Sequence, residues 1–167
     1  MSEIATAIMD AAERRIRQSG YNGFSFREIA SDVGVKSSSV HYHFPTKERL
    51  AAAVARRYTE RFAEMVQGER ERGARLKEAW RSVFRRALSE DGRMCLCGAL
   101  ATNAGALPDE VNLEARHFFT TALQSLAEAG MSHDEAVQML ATLEGAMLLA
   151  GALDDVNAFD LATSSLG

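Results

Sequence analysis

The stretch that decides the fold runs from Gly20 to Leu50 and reads GYNGFSFREIASDVGVKSSSVHYHFPTKERL. Ser25 and Glu28 are spaced as a capping box, which predicts the start of a helix. Gly34 ends that helix, because glycine readily adopts the left-handed conformation that closes a helix. A second short helix is predicted after a three-residue turn, and it must end before Pro45. Two helices with so short a connection are typical of a helix-turn-helix.

The second of these helices, residues 37–44, has polar side chains at most of its positions. Val40 and Phe44 suffice to attach it to a core, so its polar face is predicted to bind something. In a helix-turn-helix, the N-terminal part of the second helix faces base edges in the major groove, and flanking cations meet phosphates. A solvated helix hairpin is the plain structural alternative. The candidate DNA-binding side chains are Arg27, Lys36, Ser37, Ser38, Ser39, His41, Tyr42, His43, Thr46 and Lys47.

The charge of the chain is unevenly distributed. Residues 1–93 carry 18 Lys and Arg against 13 Asp and Glu, whereas residues 94–167 carry one cation, Arg116, against 10 acidic residues. The two parts therefore have net charges of +5 and −9 within a total of −4. This asymmetry indicates that the first part approaches an anionic partner, although helical proteins also segregate charge for other reasons.

The composition favours a soluble helical protein. Two prolines in 167 residues and abundant Ala, Leu, Glu and Arg predict helix throughout. No apolar run approaches the ~20 residues of a membrane span, the N-terminus does not resemble a signal sequence, and two cysteines are too few for a disulfide scaffold. We therefore expect a cytoplasmic protein without a membrane span. The chain has no Cys/His quartet, so neither a metal nor another cofactor is expected.

Four motifs in the quoted stretch resemble the DNA-binding domain of the TetR family of transcriptional regulators. They are G-[YF]-x-G-x-[ST] from Gly20, R-E-I-A from Arg27, D-V-G-V from Asp32, and an aromatic-His-Phe from Tyr42 followed by K-E-x-L. The resemblance covers about residues 4–55. It implies an all-α fold of about nine helices, with a three-helix DNA-binding domain at residues 1–50 and a helical effector-binding and dimerisation domain at 51–167.

By this resemblance the protein is a homodimer that binds a palindromic operator in double-stranded DNA and is released by a small-molecule effector. The same resemblance implies DNA-facing positions for the set Arg27, Ser37, Ser39, Tyr42, His43 and Lys47. Two departures from the family pattern affect base preference. Lys36 stands where many members have a Ser or Thr cap, and His41 stands where many have Tyr.

The family's dimer interface maps onto the predicted helix Ser132–Ala152 and the segment after Asp154. Large and small apolar residues there suit close helix packing, but an intramolecular core explains them nearly as well. The effector pocket has no clear signature, and ordinary core is the simpler explanation for its candidates. These are Met65, Trp80, Phe84, Met94, Leu100, His117, Phe118 and Met147.

Cys95 and Cys97 suggest an alternative in which the regulator senses oxidants or electrophiles. A helix N-terminus and the neighbouring Arg93 would both lower the pKa of the Cys95 thiol. Both cysteines can equally be small buried apolar residues. Two further alternatives are a cysteine-dependent enzyme using Cys95 and His117, which lacks a recognisable catalytic motif, and a helical adaptor that binds protein.

Overall fold

A computed structural model describes residues 2–91 and 94–166, and in that part of the chain the secondary structure consists of α-helices and short 3-10 turns. The all-α prediction with about nine helices is confirmed. The helices are α1 Glu3–Ser19, α2 Phe26–Val33, α3 Ser37–His43, α4 Lys47–Glu71, α5 Leu76–Asp91, α6 Leu96–Ala101, α7 Asp109–Glu128, α8 His133–Leu153 and α9 Val156–Ala162. Arg93, which the sequence placed beside Cys95, lies outside the described residues.

Capping side chains define several helix starts, among them that of α2, whose cap the sequence predicted. The hydroxyl of Ser132 accepts from the amide of Glu135 at 3.4 Å, and the Glu135 carboxylate accepts from the Ser132 amide at 2.9 Å, which completes a capping box for α8. Ser25 likewise accepts from the Glu28 amide at 3.4 Å. The carboxylate of Glu28 accepts from the Ser25 hydroxyl at 2.8 Å and from Arg15 at 3.1 Å. Glu28 therefore ties α2 to α1 as well as capping α2.

The chain forms two compact units. The first comprises Met1–Tyr58 and Leu96–Phe118, and the second comprises Thr59–Cys95 and Phe119–Gly167. Both α4 and α7 contribute to each unit. The domain boundary that the sequence predicts, between residues 50 and 51, divides the helices in chain order. It stays a prediction.

The core of the first unit forms around α1, which packs against α2, α3 and α6. Ile8, Ala12 and Ile16 are completely buried, as their four-residue spacing predicts. Ile4 belongs to the same predicted stripe but is 43% exposed, because it lies in the first turn of α1, at the edge of the packed region. A bidentate ion pair joins α1 to α2, with Arg15 Nε 2.6 Å and Nη2 2.9 Å from the two oxygens of Asp32.

The core of the second unit contains α8, which packs against α5 and α9. The aromatic cluster Phe62, Trp80 and Phe84 lies here, with ring centroids 5.2–6.5 Å apart. Arg85 makes a two-point contact to Asp160, at 2.7 and 2.8 Å, and so ties α5 to α9. By length and composition alone α8 could cross a membrane. Its buried stripe, residues 136–150, is that of a core helix with one face against α5 and α9.

Candidate nucleic-acid interface

A glycine turn sets the direction of α3. Gly34 has φ 76° and ψ 30°, a left-handed conformation that a β-carbon would strain. Its amide donates to Ser31 at 3.3 Å, and the amide of Val35 donates to the Ala30 carbonyl at 2.9 Å. These bonds satisfy the last carbonyls of α2 and reverse the chain into α3. The predicted helix-turn-helix geometry therefore follows from the Asp-Val-Gly-Val sequence.

The helix α3 is attached to the first unit by one side and exposes the other. Val40 is completely buried, and the amide of Phe44 closes the helix by donating to the Val40 carbonyl at 2.8 Å. Tyr42, on the opposite side, is 84% exposed. The ten candidate DNA-binding residues all lie at the surface. Arg27, Lys36, Ser37, Ser38, His41, Tyr42 and Thr46 are exposed, and Ser39, His43 and Lys47 are half-buried.

Aromatic contacts hold the rings of α3 in place. The ring of Phe26, at the start of α2, meets the His41 ring edge-on, with centroids 4.6 Å apart. The rings of Tyr42 and His43 lie 5.1 Å apart in a similar edge-on arrangement. Phe26 is half-buried, and its ring supports the imidazole of His41. The imidazole of His41 is therefore oriented before any partner binds.

The start of α4 presents a cation over an aromatic platform. The Lys47 ammonium lies 4.6 Å from the ring centroids of both Tyr21 and Phe24, at the distance of a cation–π contact. Partial burial lowers the pKa of Lys47 from its ordinary value, and the carboxylates of Glu48 and Glu28 oppose this shift. The two rings restrict the lysine side chain, so less conformational entropy is lost when it meets a phosphate.

A hydrogen bond fixes the platform itself. The hydroxyl of Tyr21 donates to Glu48 at 3.1 Å. Burial, followed by the nearby Glu48 carboxylate, raises the pKa of Tyr21 to about 12, so its hydroxyl stays protonated at neutral pH. Thr46 completes this corner, because its hydroxyl accepts from the Arg49 amide at 3.2 Å and caps α4. Sequence reasoning found Thr46 and Lys47 but missed Tyr21, Phe24 and Glu48, since no local spacing connects them to Lys47.

Lys36 occupies the N-cap position of α3, where its side chain makes no capping hydrogen bond. Lys36 therefore departs from the family pattern with a structural consequence, an N-cap residue whose side chain does not cap the helix. A Ser or Thr at this position would accept from a backbone amide of α3, whereas lysine supplies a positive charge at the edge of the exposed face. Lys36 thus places a cation at a position where a capping side chain would stabilise the helix.

The candidate effector residues are divided between the two units. Leu100, His117 and Phe118 belong to the first, and Met65, Trp80, Phe84, Met94 and Met147 belong to the second. Trp80, Phe84, Leu100, Phe118 and Met147 are buried, Met65 and Met94 are half-buried, and His117 is exposed on α7. The structure brings Trp80 and Phe84 together, at 6.5 Å between centroids, and adds Phe62 to them.

Cys95 and Cys97 are both completely buried. The Cys95 thiol lies beside the carboxyl of Glu144, a residue that sequence reasoning did not single out. A neighbouring carboxylate and burial both disfavour a thiolate, which is the reactive form of cysteine. The surroundings of Cys95 that the structure describes therefore differ from those of a reactive thiol. Its role as a sensor stays a prediction.

An exposed polar helix, a glycine turn before it and a platform-held cation beside it define the class of helix-turn-helix DNA-binding proteins. Residues 8–54 match the family model described as bacterial regulatory proteins, tetR family. The HTH-type transcriptional repressor AcnR of Corynebacterium diphtheriae is 36% identical over 59 residues, which are 35% of this chain and 31% of that protein. The alignment thus spans less than a third of the length of this relative.

Solved structures extend the likeness over the whole chain. A TetR transcriptional regulator from Legionella pneumophila has a TM-score of 0.87 at 29% identity, covering 99% of this chain and 96% of that one. A TetR-family regulator from Agrobacterium tumefaciens has a TM-score of 0.88 at 27% identity, covering 98% and 95%. The fold of the chain is thus that of these TetR-family regulators, and residues 8–54 match the family's model.

Proposed function

We propose that the protein is a cytoplasmic transcriptional repressor that binds a palindromic operator as a homodimer and is released from it by a small effector. The observation that carries this proposal is the construction of α3. Val40 attaches one side of the helix to the core. Tyr42 and its polar neighbours lie on the other side and contribute nothing to a core. A short polar helix at the end of a helix-turn-helix is suited to the major groove.

The contacts to DNA divide into two kinds. The N-terminal part of α3, residues 36–39, and the ring of His41 are the candidates for base edges, because this part of a recognition helix enters the groove. Arg27, Tyr42, His43, Thr46 and Lys47 are the candidates for phosphates. The free amides at the start of α4 add a phosphate site, since a helix N-terminus attracts anions.

A second copy of the chain is the proposed partner of α8 and α9. These helices expose large apolar side chains that a monomer would leave in water, and such a patch is typical of an interaction surface. They are Val137, Leu148, Leu149, Leu153, Val156 and Leu161, which are 37–77% exposed. A dimer also supplies a second reading helix, which a palindromic operator requires. The effector would act by preferring the conformer in which the two reading helices are out of register with the operator.

The alternatives receive less support. Both a thiol sensor and a cysteine enzyme need an accessible thiolate, whereas Cys95 is buried beside a carboxyl. His117, the base that the enzyme alternative requires, is exposed, whereas Cys95 is completely buried. We therefore infer a regulator without catalytic activity. An adaptor that binds protein through α3 would lack the steep salt dependence expected of a DNA-binding protein.

Selection of bound fragments from genomic DNA tests the proposal. We expect a palindrome with half-sites about 34–36 Å apart, as a twofold dimer requires. If each subunit places Arg27 and Lys47 on phosphates, the logarithm of affinity should fall with the logarithm of salt with a slope of about −4. Recovery of random fragments, or binding that is insensitive to salt, would remove the operator-binding assignment.

A further inference from the structure

Glu144 has a buried carboxyl group for which the described residues provide no ordinary partner. It lies on α8 beside the buried stripe formed by Leu140, Leu143 and Met147. Both carboxylate oxygens are enclosed, and neither has a hydrogen-bond partner of normal geometry. Buried polar atoms without partners are rare in folded proteins, and each calls for a specific explanation.

The surroundings of Glu144 make its charge costly. Burial raises the pKa of Glu144 to about 7, and the Cys95 thiol beside it opposes the shift. A thiol is a weak donor and cannot replace the hydrogen bonds that water gives a carboxylate. A cation placed against this group would recover both the Coulomb energy and the lost hydrogen bonds, and it would do so in a medium where such interactions are strong.

On the helices that pack against α8, most of the cations are already paired with acidic residues. On α5, Arg81 and Arg85 pair with Asp160, and Arg86 pairs with Glu69. The remaining cation, Lys77, lies near Glu135 at the start of α8, several turns from Glu144. The sequences of α8 and α9 contain no Lys or Arg. A second copy docked through these helices therefore brings no lysine or arginine of theirs to the carboxyl.

A second unpartnered polar atom lies on the neighbouring helix. Trp80 is buried on α5, which packs against α8, and its indole nitrogen Nε1 has no hydrogen-bond acceptor among the residues that the structure describes. Its ring belongs to the cluster with Phe62 and Phe84, at 5.3 and 6.5 Å between centroids. Two packed helices of the second unit thus hold an unpaired acid, on α8, and an unpaired donor among aromatic rings, on α5, and these groups suit an organic ammonium ion.

We propose that Glu144 binds the charged nitrogen of a small organic ammonium effector, whose apolar part lies against the aromatic cluster around Trp80. The inference rests on the effector-released repressor proposed above and gives the chemical class of its effector. An acceptor atom on the ligand would pair with the Trp80 indole. Neutral and anionic effectors are excluded by this assignment, since neither compensates the buried carboxylate.

The test uses matched pairs of probes that differ in charge. Phenethylammonium and 2-phenylethanol form one pair, and hexylammonium and 1-hexanol the other. Binding to the full-length protein is measured by calorimetry and by the shift in Tm. We expect at least one ammonium probe to bind at least tenfold more tightly than its alcohol. Glu144→Gln should abolish this difference, and Glu144→Asp should keep part of it.

Control variants separate the site from general charge effects. Glu128→Gln makes the same change in net charge at an exposed position of α7 and should bind the probes as the unaltered protein does. Arg93→Gln removes the cation nearest to Cys95 in sequence and should leave ammonium affinity unchanged. A tenfold gain in that variant would mean that Arg93 already occupies Glu144, which would overturn the proposal.

Operator binding distinguishes failure of this inference from failure of the proposed function. If the protein binds its operator but no ammonium probe binds at millimolar concentration, or if Glu144→Gln binds them equally well, the ammonium site is refuted and the repressor remains. If no operator is bound at all, the repressor itself fails. Folding of each variant is checked by circular dichroism, and a folded Glu144→Gln without ammonium binding is the expected result.

Discussion

At the scale of single residues, the proposed phosphate contact of Lys47 starts from a side chain that is already held in place. Its ammonium stands over Tyr21 and Phe24, and Tyr21 is itself held by Glu48. A cation on such a platform still has hydrogen atoms to donate to a phosphate, while its chain has fewer conformations to lose. In the proposed interface we therefore expect the platform to contribute to affinity through pre-organisation, without a base preference of its own.

We predict that Lys47→Ala weakens binding to operator and to random DNA by the same factor. The loss should be about tenfold or more, because a charge-assisted hydrogen bond contributes about 1.5–3 kcal/mol. The salt slope should become shallower by about 1 for each subunit. Electrophoretic mobility shifts at several salt concentrations, with both DNAs, measure the two effects.

Lys77→Ala is the matched control, since Lys77 is an exposed cation in the second unit. It should leave both affinities unchanged. A loss in Lys47→Ala that is confined to the operator would instead make Lys47 a reader of bases and contradict the phosphate role.

The sequence predicted that the candidate residues are accessible, but not how they are arranged. All ten lie at the surface, and their contact with DNA stays a prediction. The platform under Lys47 and the contact of Phe26 with His41 were missed, because both join residues that are distant in sequence. Glu144 gave no signal either, since a single acid in an apolar helix has the same pattern whether it is buried or exposed.

At the scale of elements, α3 is a short helix without a side-chain cap. Its N-cap residue, Lys36, makes no capping hydrogen bond, and seven residues form few internal bonds of their own. Stability of α3 therefore depends on Val40 and on the closing bond at Phe44. If Lys36 contacts DNA as proposed, helix stability and DNA affinity require different residues at this position.

We predict that Lys36→Ser stabilises the protein and weakens DNA binding together. The serine hydroxyl should cap α3 and raise the free energy of unfolding by about 1 kcal/mol. Loss of the charge should lower operator affinity and alter the preferred base nearest to the start of α3. Chemical denaturation and a panel of single-base operator variants measure these outcomes.

Lys36→Ala separates the two effects, because alanine removes the charge without adding a cap. It should weaken DNA binding as Lys36→Ser does, but without the gain in stability. If serine brings no stabilisation relative to alanine, the uncapped start of α3 has no energetic consequence.

The start of α2 was predicted from its cap, Ser25, and its end from Gly34, and both are confirmed. Ser2 and Ser132 cap α1 and α8 in the same way. The helix α6 has no such signal, because it is six residues long and its side chains alternate between small and large apolar types. Such a run has no clear period, and packing against α1 rather than local preference determines that it is helical.

At the scale of the whole molecule, the uneven charge and the exposed apolar face have complementary uses. The positive charge lies in the part of the sequence that forms α1 to α5, and α8 and α9 lack lysine and arginine. Two copies that meet through α8 and α9 would bury leucine side chains without bringing like cations together. A twofold axis at this face presents every side chain to the same face of the partner, so that a single substitution acts twice.

We predict that Leu148→Glu converts the dimer into a monomer and lowers operator affinity by at least a hundredfold. Leu148 is 58% exposed on α8, so the substitution costs little within one chain. In a twofold interface it buries two carboxylates that have no cation from α8 or α9 to pair with. Light scattering gives the mass of the particle, and mobility shifts with half-site and full-site DNA give the affinity.

Leu113→Glu is the control, because Leu113 is 67% exposed on α7 in the first unit and its substitution should leave the mass unchanged. A Leu148→Glu protein that remains dimeric would place the interface on another face, whereas a monomer that still binds the half-site weakly would show that each reading helix is formed before the two copies meet.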